Sequence, residues 1–305
     1  MPHERRLSQL IAALVGLTGL MALAGPSRAD APLVIADIAP TYSLVARVMN
    51  GVGRPHLLIP RDADAASFEL TAQDATRLSR ASVVFAVGRV LSPGLNRPLA
   101  QLSRSVYFVE LSEVPGLPLP GTMDDTRQSQ VLHRIDPHYW LNPEVAQQWL
   151  PVIADALAER DPVNAEIYRR NATRAAEELG GLNKAIASRL RPLRELGYFV
   201  PDSSFTHFEH AYGLRRLALT RPDMLADLQD LDTLRAQGLV CIFLPLGALN
   251  SPLADALSRR GVRIGGLDPL GAGLELGPNL YHRLIARAAE SFVRCLGGDG
   301  PGVAD

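Results

Sequence analysis

Short apolar runs that alternate with helical segments restrict the fold of this chain more than any other feature. Residues 82–87 (SVVFAV) and 106–111 (VYFVEL) are apolar along nearly their whole length. Such runs are typical of parallel strands covered on both faces, whereas half-exposed strands alternate polar and apolar residues. The same order of strands and helices returns after residue 197, with VCIFLPL and VRIGGL as strands. The sequence therefore predicts an α/β protein with mainly parallel sheets.

One helical segment is much longer than its neighbours. It begins near Asp161-Pro162, and apolar residues recur at three- and four-residue steps as far as Leu190. A helix of about 30 residues spans about 45 Å, enough to run the length of a protein with two lobes. We therefore predict an N-terminal α/β lobe at residues 30–158, a linker helix at 159–194 and a C-terminal α/β lobe at 195–305.

Residues 1–29 have the pattern of a cleavable signal peptide. Two arginines precede an apolar segment at residues 10–24, and Ser27-Arg28-Ala29 forms a small-x-small cleavage site. The apolar segment has about 15 residues and a membrane-spanning helix needs about 20, which makes a membrane anchor the weaker alternative. No cysteine lies near this site to carry a lipid. The pattern predicts export to a periplasm without a membrane anchor.

Cys241 and Cys295 are the only two cysteines. An even number of cysteines in an oxidising compartment favours a disulfide, with two buried thiols as the alternative. The bridge would join a core strand to the end of the last helix and would typically stabilise the fold by about 2–4 kcal/mol.

Charge and motifs exclude several functions. The formal net charge is -1, which gives no electrostatic reason to expect nucleic acid or an anionic membrane as a partner. The chain has no GxSxG, HExxH, P-loop or helix-opening GxGxxG pattern. We therefore do not predict an enzyme.

Three polar residues stand where a ligand is expected. Ligands of open α/β sheets bind beyond the carboxyl ends of the strands, and Asp202 and Asp268 follow predicted strands. His138 shortly precedes a helix that Asn142-Pro143 opens. Each residue has a structural alternative, a packed surface histidine or a turn-forming aspartate.

Longer stretches around these residues carry a family resemblance: HYWLNPEVA, GYFVPDSSFTHFEHAYGL and GGLDPLG, with the cysteines of VCIF and VRCL. The chain resembles the cluster A-I solute-binding proteins of metal ABC transporters, especially the zinc-uptake branch. The resemblance implies two α/β lobes joined by a long helix, a divalent metal bound between them and an ABC permease as partner. We expect a monomer.

The family's metal ligands carry over only in part. Zinc-type members use three histidines and one aspartate, and manganese-type members replace the third histidine by glutamate. Ala66 stands at the position of the first histidine, His138 at the second, Asp202 at the third and Asp268 at the fourth. The predicted ligands are thus His138, Asp202 and Asp268. One nitrogen and two carboxylates suit zinc less than a histidine-rich set, and oxygen-rich sites favour manganese, iron or magnesium.

Other side chains could fill the place left by Ala66. Glu69 and Asp64 are near it in sequence, and His133 lies in a predicted loop at residues 113–136. His207 and His210 are three apart on a predicted helix and share a face, for which a plain exposed helix face is the alternative.

Three functions remain open from the sequence. The first is a periplasmic protein that binds a divalent metal, zinc foremost and manganese as the alternative, and delivers it to an ABC permease. The second is a divergent paralogue that has lost tight metal binding and serves as an accessory or binds another ligand. The third is a periplasmic hydrolase with an open metal site.

Overall fold

The structure is a computed structural model that describes residues 31–117, 136–218 and 228–298. The signal-peptide prediction, His133 and most of the predicted loop at 113–136 lie outside the described residues. Two parallel sheets, one in each half of the chain, confirm the predicted α/β class.

The first sheet has four parallel strands in the order β2-β1-β3-β4. Its central strands, β1 and β3, are completely buried, as their continuous apolar sequences predict. Its strands and helices are β1 (Val34–Ala36), α1 (Ala39–Val48), β2 (His56–Leu57), α2 (Ala72–Arg80), β3 (Val83–Ala86), α3 (Asn96–Ala100) and β4 (Tyr107–Glu110).

Two long helices follow this sheet. The first is α4 (Pro143–Arg160), and the Asn142 side chain caps it by accepting a hydrogen bond from the Glu144 backbone N–H at 2.9 Å. The second is α5 (Ala165–Leu190), which has 26 residues and is about 39 Å long at about 1.5 Å per residue. Short 3₁₀ turns flank α5 on both sides, so the regular helix is shorter than the segment predicted from the sequence.

The second sheet has three parallel strands in the order β5-β6-β7. An isolated parallel bridge pairs Arg216 with Tyr198. The elements of this half are β5 (Gly197–Phe199), α6 (Thr206–Tyr212), α7 (Leu228–Ala236), β6 (Leu239–Pro245), α8 (Pro252–Arg259), β7 (Arg263–Leu267) and α9 (Leu280–Gly297).

The predicted disulfide is confirmed. Cys241 on β6 is bonded to Cys295 on α9, with a Cα–Cα distance of 5.8 Å. Gly265 makes the packing at this bridge possible, because a Cβ there would lie 2.4 Å from the Phe243 ring and 3.2 Å from the Cys295 Cβ. The Phe243 ring in turn packs on Phe292 of α9, with 4.4 Å between centroids.

One continuous apolar core extends through both halves of the chain. Buried polar contacts across it fix the end of the chain to the first half. The Tyr281 hydroxyl donates to the Trp140 carbonyl at 2.6 Å, and the Tyr281 backbone N–H donates to Ser43 Oγ at 2.9 Å. Within the described ranges, no helix combines the length and apolar character needed to cross a bilayer.

Candidate metal centre

His138 lies in the connection that leads into α4, and a neighbouring carboxylate fixes its ring. The Asp136 Oδ1 atom is 2.6 Å from His138 Nδ1 and also accepts a hydrogen bond from the His138 backbone N–H at 3.0 Å. Because a carboxylate accepts hydrogen bonds, the contact places the imidazole proton on Nδ1 and leaves the Nε2 lone pair available. Histidines that bind metals have this arrangement, with a carboxylate on the other ring nitrogen.

The segment that carries His138 is also attached to the second lobe. The indole Nε1 of Trp140 donates to the Pro269 carbonyl at 2.7 Å, and the Trp140 ring lies 5.0 Å from the His138 ring. Trp140 is fully buried. His138 is therefore held beside the loop that follows β7.

A cavity of about 360 Å³ opens at this junction, beyond the carboxyl ends of β5, β6 and β7. The polar residues of its wall are His138 from the first lobe and Asp202, Ser203 and Ser204 from the second. Its position agrees with the rule that open α/β sheets bind ligands beyond the carboxyl ends of their strands.

Asp202 is exposed and lies on the cavity wall directly after β5. Its Oδ1 atom accepts hydrogen bonds from the Ser204 backbone N–H at 2.9 Å and from the Ser204 hydroxyl at 2.5 Å. One carboxylate oxygen is thus engaged in a local turn, as is common for aspartate.

Asp268 follows β7, and backbone N–H groups surround its carboxylate. Its Oδ1 atom accepts from Leu270 and Gly271, both at 2.9 Å, and its Oδ2 atom accepts from Ala272 at 2.6 Å. Gly271 takes a left-handed conformation with φ of 72°, which other residues adopt only with strain. Asp268 therefore orders its own loop, and its neighbours Leu267 and Pro269 line the cavity.

Two of the three predicted ligands, His138 and Asp202, line the cavity, and Asp268 lies between two residues that line it. Among the residues that the structure describes, no three or more His, Cys, Asp or Glu side chains form a group that could hold a metal ion. Local hydrogen bonds are made by both carboxylate oxygens of Asp268 and by Oδ1 of Asp202. The ligand set His138, Asp202 and Asp268 stays a prediction.

The segment around Ala66 supplies no acidic side chain to the cavity wall within the described residues. Ala66, Asp64 and Glu69 are all exposed. Asp64 accepts hydrogen bonds from the Ser67 hydroxyl at 2.8 Å and the Ala66 backbone N–H at 3.1 Å, and these bonds hold the pKa of Asp64 below its ordinary value.

His207 is buried and is not part of an exposed helix face. Its Nε2 atom lies 3.2 Å from the Asp136 carbonyl oxygen, and its ring packs on Tyr139 with 4.7 Å between centroids. His210, three residues later, is exposed. His207 thus packs against the segment that carries Asp136 and His138. The three-residue spacing of His207 and His210 does not indicate this role.

Arg61 is a residue at this junction that the sequence analysis did not identify. It follows β2 in the chain, and its guanidinium donates to the carbonyls of Gly271, at 2.6 Å, and Ala272. The acceptors belong to the loop that Asp268 orders. The cavity beside Arg61 measures only about 10 Å³. A side-chain cation five residues before Ala66 therefore joins the two lobes. Asp136 was also missed, although its place two residues before His138 was a usable signal.

Comparison with known proteins identifies related sequences and folds. The model of the family described as the zinc-uptake complex component A, periplasmic, matches residues 34–295. The high-affinity zinc uptake system protein ZnuA of Paracoccus denitrificans is 28% identical, with 97% of this chain and 99% of that protein covered. The protein of the same name from Yersinia pestis is 27% identical, with 92% and 96% covered.

Solved structures support the fold at lower identity. The Zn(II)-bound ZnuA-like domain of Streptococcus pneumoniae AdcA has a TM-score of 0.69 and 21% identity, and covers 86% of this chain and 98% of its own. The solute-binding protein FpvC of Pseudomonas aeruginosa, in complex with Mn²⁺, has a TM-score of 0.70 and 21% identity, with 88% and 100% covered. Both share the arrangement of two α/β lobes and a long helix.

Proposed function

The chain belongs to the family of periplasmic zinc-uptake components, whose model spans residues 34–295, and from this premise we propose that it is a periplasmic solute-binding protein for a divalent metal ion. The protein captures the ion between its two lobes and delivers it to an ABC permease. It acts as a monomer. The relatives named above are uptake proteins rather than enzymes, and the hydrolase hypothesis has no further support.

The observation that carries this proposal is the fixed imidazole of His138 on the cavity wall. Asp136 sets its tautomer and Trp140 anchors its segment to the second lobe. The segment that carries His138 is therefore in contact with both lobes. Asp202 and Asp268 are the proposed partners of His138.

Zinc is the proposed ion, because the family and the two curated relatives are named for zinc uptake. Manganese is the alternative, since one nitrogen and two carboxylates form an oxygen-rich set. One of the structural neighbours was solved with Mn²⁺.

Calorimetric titration of the metal-stripped protein with Zn²⁺ and then Mn²⁺ tests the proposal. We expect tight one-to-one binding that His138→Ala abolishes and that His210→Ala leaves intact, because His210 is an exposed histidine outside the cavity wall. No heat with either ion at micromolar protein would overturn the proposal and favour the paralogue that has lost tight binding. Ala66 and the engaged carboxylates are the observations that favour this second candidate.

Asp136 is a positioning residue, and Asp136→Asn tests its role. Loss of such a carboxylate typically weakens metal binding by about 10–100-fold. A ¹⁵N-edited imidazole spectrum should show the Nδ1-protonated tautomer in the wild type and a tautomer mixture in the variant. An unchanged spectrum would contradict the assignment.

Export and delivery need separate experiments. The N-terminal sequence of the protein recovered from the periplasm should begin at Asp30. Growth on limiting zinc should depend on the wild-type chain and fail with His138→Ala at equal protein level. Equal growth with both would argue against a role in metal delivery.

A further inference from the structure

The loop at residues 268–272 is bound through both kinds of backbone polar group. Its last three N–H groups all donate to the Asp268 carboxylate. Its carbonyls have another use, since those of Pro269, Gly271 and Ala272 accept hydrogen bonds from side chains of the first lobe. The loop that carries a proposed metal ligand therefore also joins the two lobes.

Two side chains of the first lobe make these contacts. Trp140 is fully buried and donates one neutral hydrogen bond, to Pro269 at 2.7 Å. Arg61 donates to two successive carbonyls, those of Gly271, at 2.6 Å, and Ala272. A planar guanidinium suits two adjacent acceptors, and hydrogen bonds from a charged donor are roughly twice as strong as neutral ones. Arg61 is therefore the stronger of the two links.

Apolar packing closes the space beside this link. Leu270 of the loop faces Ala63 and Ile59 of the first lobe across a gap of only about 10 Å³, which is about the space of one water molecule. The Arg61 Nε atom is buried in the same seam. All of these contacts are between protein groups, so they need no metal ion to form.

The first lobe has few other ways to hold the loop. Ala66, five residues after Arg61, stands at the position of the first family histidine and has no side-chain donor atom for a metal. His138 is then the only predicted ligand from the first lobe. A bound ion alone would join the lobes through a single first-lobe side chain.

We propose that Arg61 is a positioning residue for metal binding, which joins the Asp268 loop to the first lobe before the ion arrives. It acts through the carbonyls of Gly271 and Ala272, and so keeps Asp268 beside the cavity that His138 lines. The ion enters this cavity between lobes that are already joined. The inference rests on the proposed function, since it concerns the affinity for the same ion.

The distance between the lobes tests the inference directly. Ser79 on α2 and Ser258 on α8 are exposed and belong to different lobes. Replacing both by Cys allows spin labelling, because the native cysteines are bonded to each other, and pulsed electron paramagnetic resonance then gives the distance distribution. We expect a narrow distribution in the metal-stripped protein that Zn²⁺ does not shift. Arg61→Ala should broaden it, and Zn²⁺ should narrow it again.

Zinc affinity is the second measurement. Calorimetry should show binding at least tenfold weaker in Arg61→Ala, because an apparent Kd rises as the assembled fraction of the site falls. Arg54→Ala is the matched control, since Arg54 is an exposed arginine of the same lobe, and it should change neither the distances nor the affinity. Circular dichroism establishes that the variants are folded.

The outcomes separate this inference from the proposed function. A wild-type distribution that Zn²⁺ shifts overturns the inference and needs no variant, so an unfolded Arg61→Ala does not prevent the test. Equal metal-stripped distributions for wild type and folded Arg61→Ala also overturn it, while zinc binding by the wild type leaves metal capture standing. If neither protein binds zinc, the proposed function fails, and the metal-stripped distances alone decide whether Arg61 joins the lobes.

Discussion

Asp37 gives the sharpest test of the electrostatics of this fold. It follows β1, is 2% exposed and accepts hydrogen bonds from the backbone N–H groups of Ile38 at 2.7 Å and Val87 at 2.6 Å. Burial raises the pKa of its carboxyl from 3.8 to about 6, although these hydrogen bonds oppose the shift. The folded protein therefore binds this proton more tightly than the unfolded chain does. The contribution of Asp37 to the free energy of unfolding rises as pH falls from 6 towards 3.8.

The pKa shift sets the magnitude of the effect. A difference of about two pKa units corresponds to about 3 kcal/mol, at about 1.36 kcal/mol per unit. Between pH 8 and pH 5, protonation of Asp37 raises the free energy of unfolding by about 1.4 kcal/mol. Asn cannot titrate, and its amide would place an NH₂ group against one of the two backbone donors. We expect Asp37→Asn to be less stable than the wild type, with a gap that widens by about 1.4 kcal/mol between pH 8 and pH 5.

Urea unfolding followed by tryptophan fluorescence at pH 8 and pH 5 measures the gap, since Trp140 and Trp149 are both buried. Asp64→Asn is the matched control, because hydrogen bonds lower the pKa of this exposed carboxyl and its contribution is lost as pH falls. A gap between wild type and Asp37→Asn that is equal at both pH values would refute the reasoning.

Three further changes probe the fold. Replacing Cys241 and Cys295 together by Ala should lower the free energy of unfolding by about 2–4 kcal/mol, and calorimetry that shows no loss would contradict a stabilising bridge. Burial lowers the pKa of His282 from 6.5 to about 4, so the wild type should lose stability as pH falls from 6.5 to 4. The His282→Leu variant should lose less stability over this range. Identical pH profiles of the free energy of urea unfolding would contradict this assignment. Gly271→Ala should lower the melting temperature more than Gly277→Ala does, because Gly271 has a φ of 72°. Gly277 is the control, since no atom lies within 4 Å of a Cβ added there. Equal shifts of the melting temperature would exclude backbone strain at Gly271.

Local patterns were enough to predict most helices and strands. The Thr71 capping box at the start of α2 and the Asn142 cap of α4 lie within a few residues of the groups they satisfy. The buried strands β1 and β3 are recognisable because their own side chains are apolar. The pairing of Arg216 with Tyr198 could not be predicted, because it depends on a partner strand that is distant in sequence.

The candidate site was predictable only in part. The positions of His138, Asp202 and Asp268 could be taken from the sequence, because each lies beside a recognisable helix start or strand end. The occupation of the Asp268 oxygens by three N–H groups could not be predicted, since it depends on the path of the loop through Gly271. The burial of His207 under Asp136 likewise depends on packing between distant segments.

The sequence by itself determined the α/β class, the family and the identity of the polar residues at the strand ends, because periodicity, apolar composition and capping act over a few neighbouring residues. Only the tertiary structure decided how the lobes meet. The contacts from Arg61 to Gly271 and from Trp140 to Pro269 join residues separated by 210 and 129 positions. Such contacts form when whole elements pack together, and no local pattern encodes which distant carbonyl a guanidinium or an indole will reach.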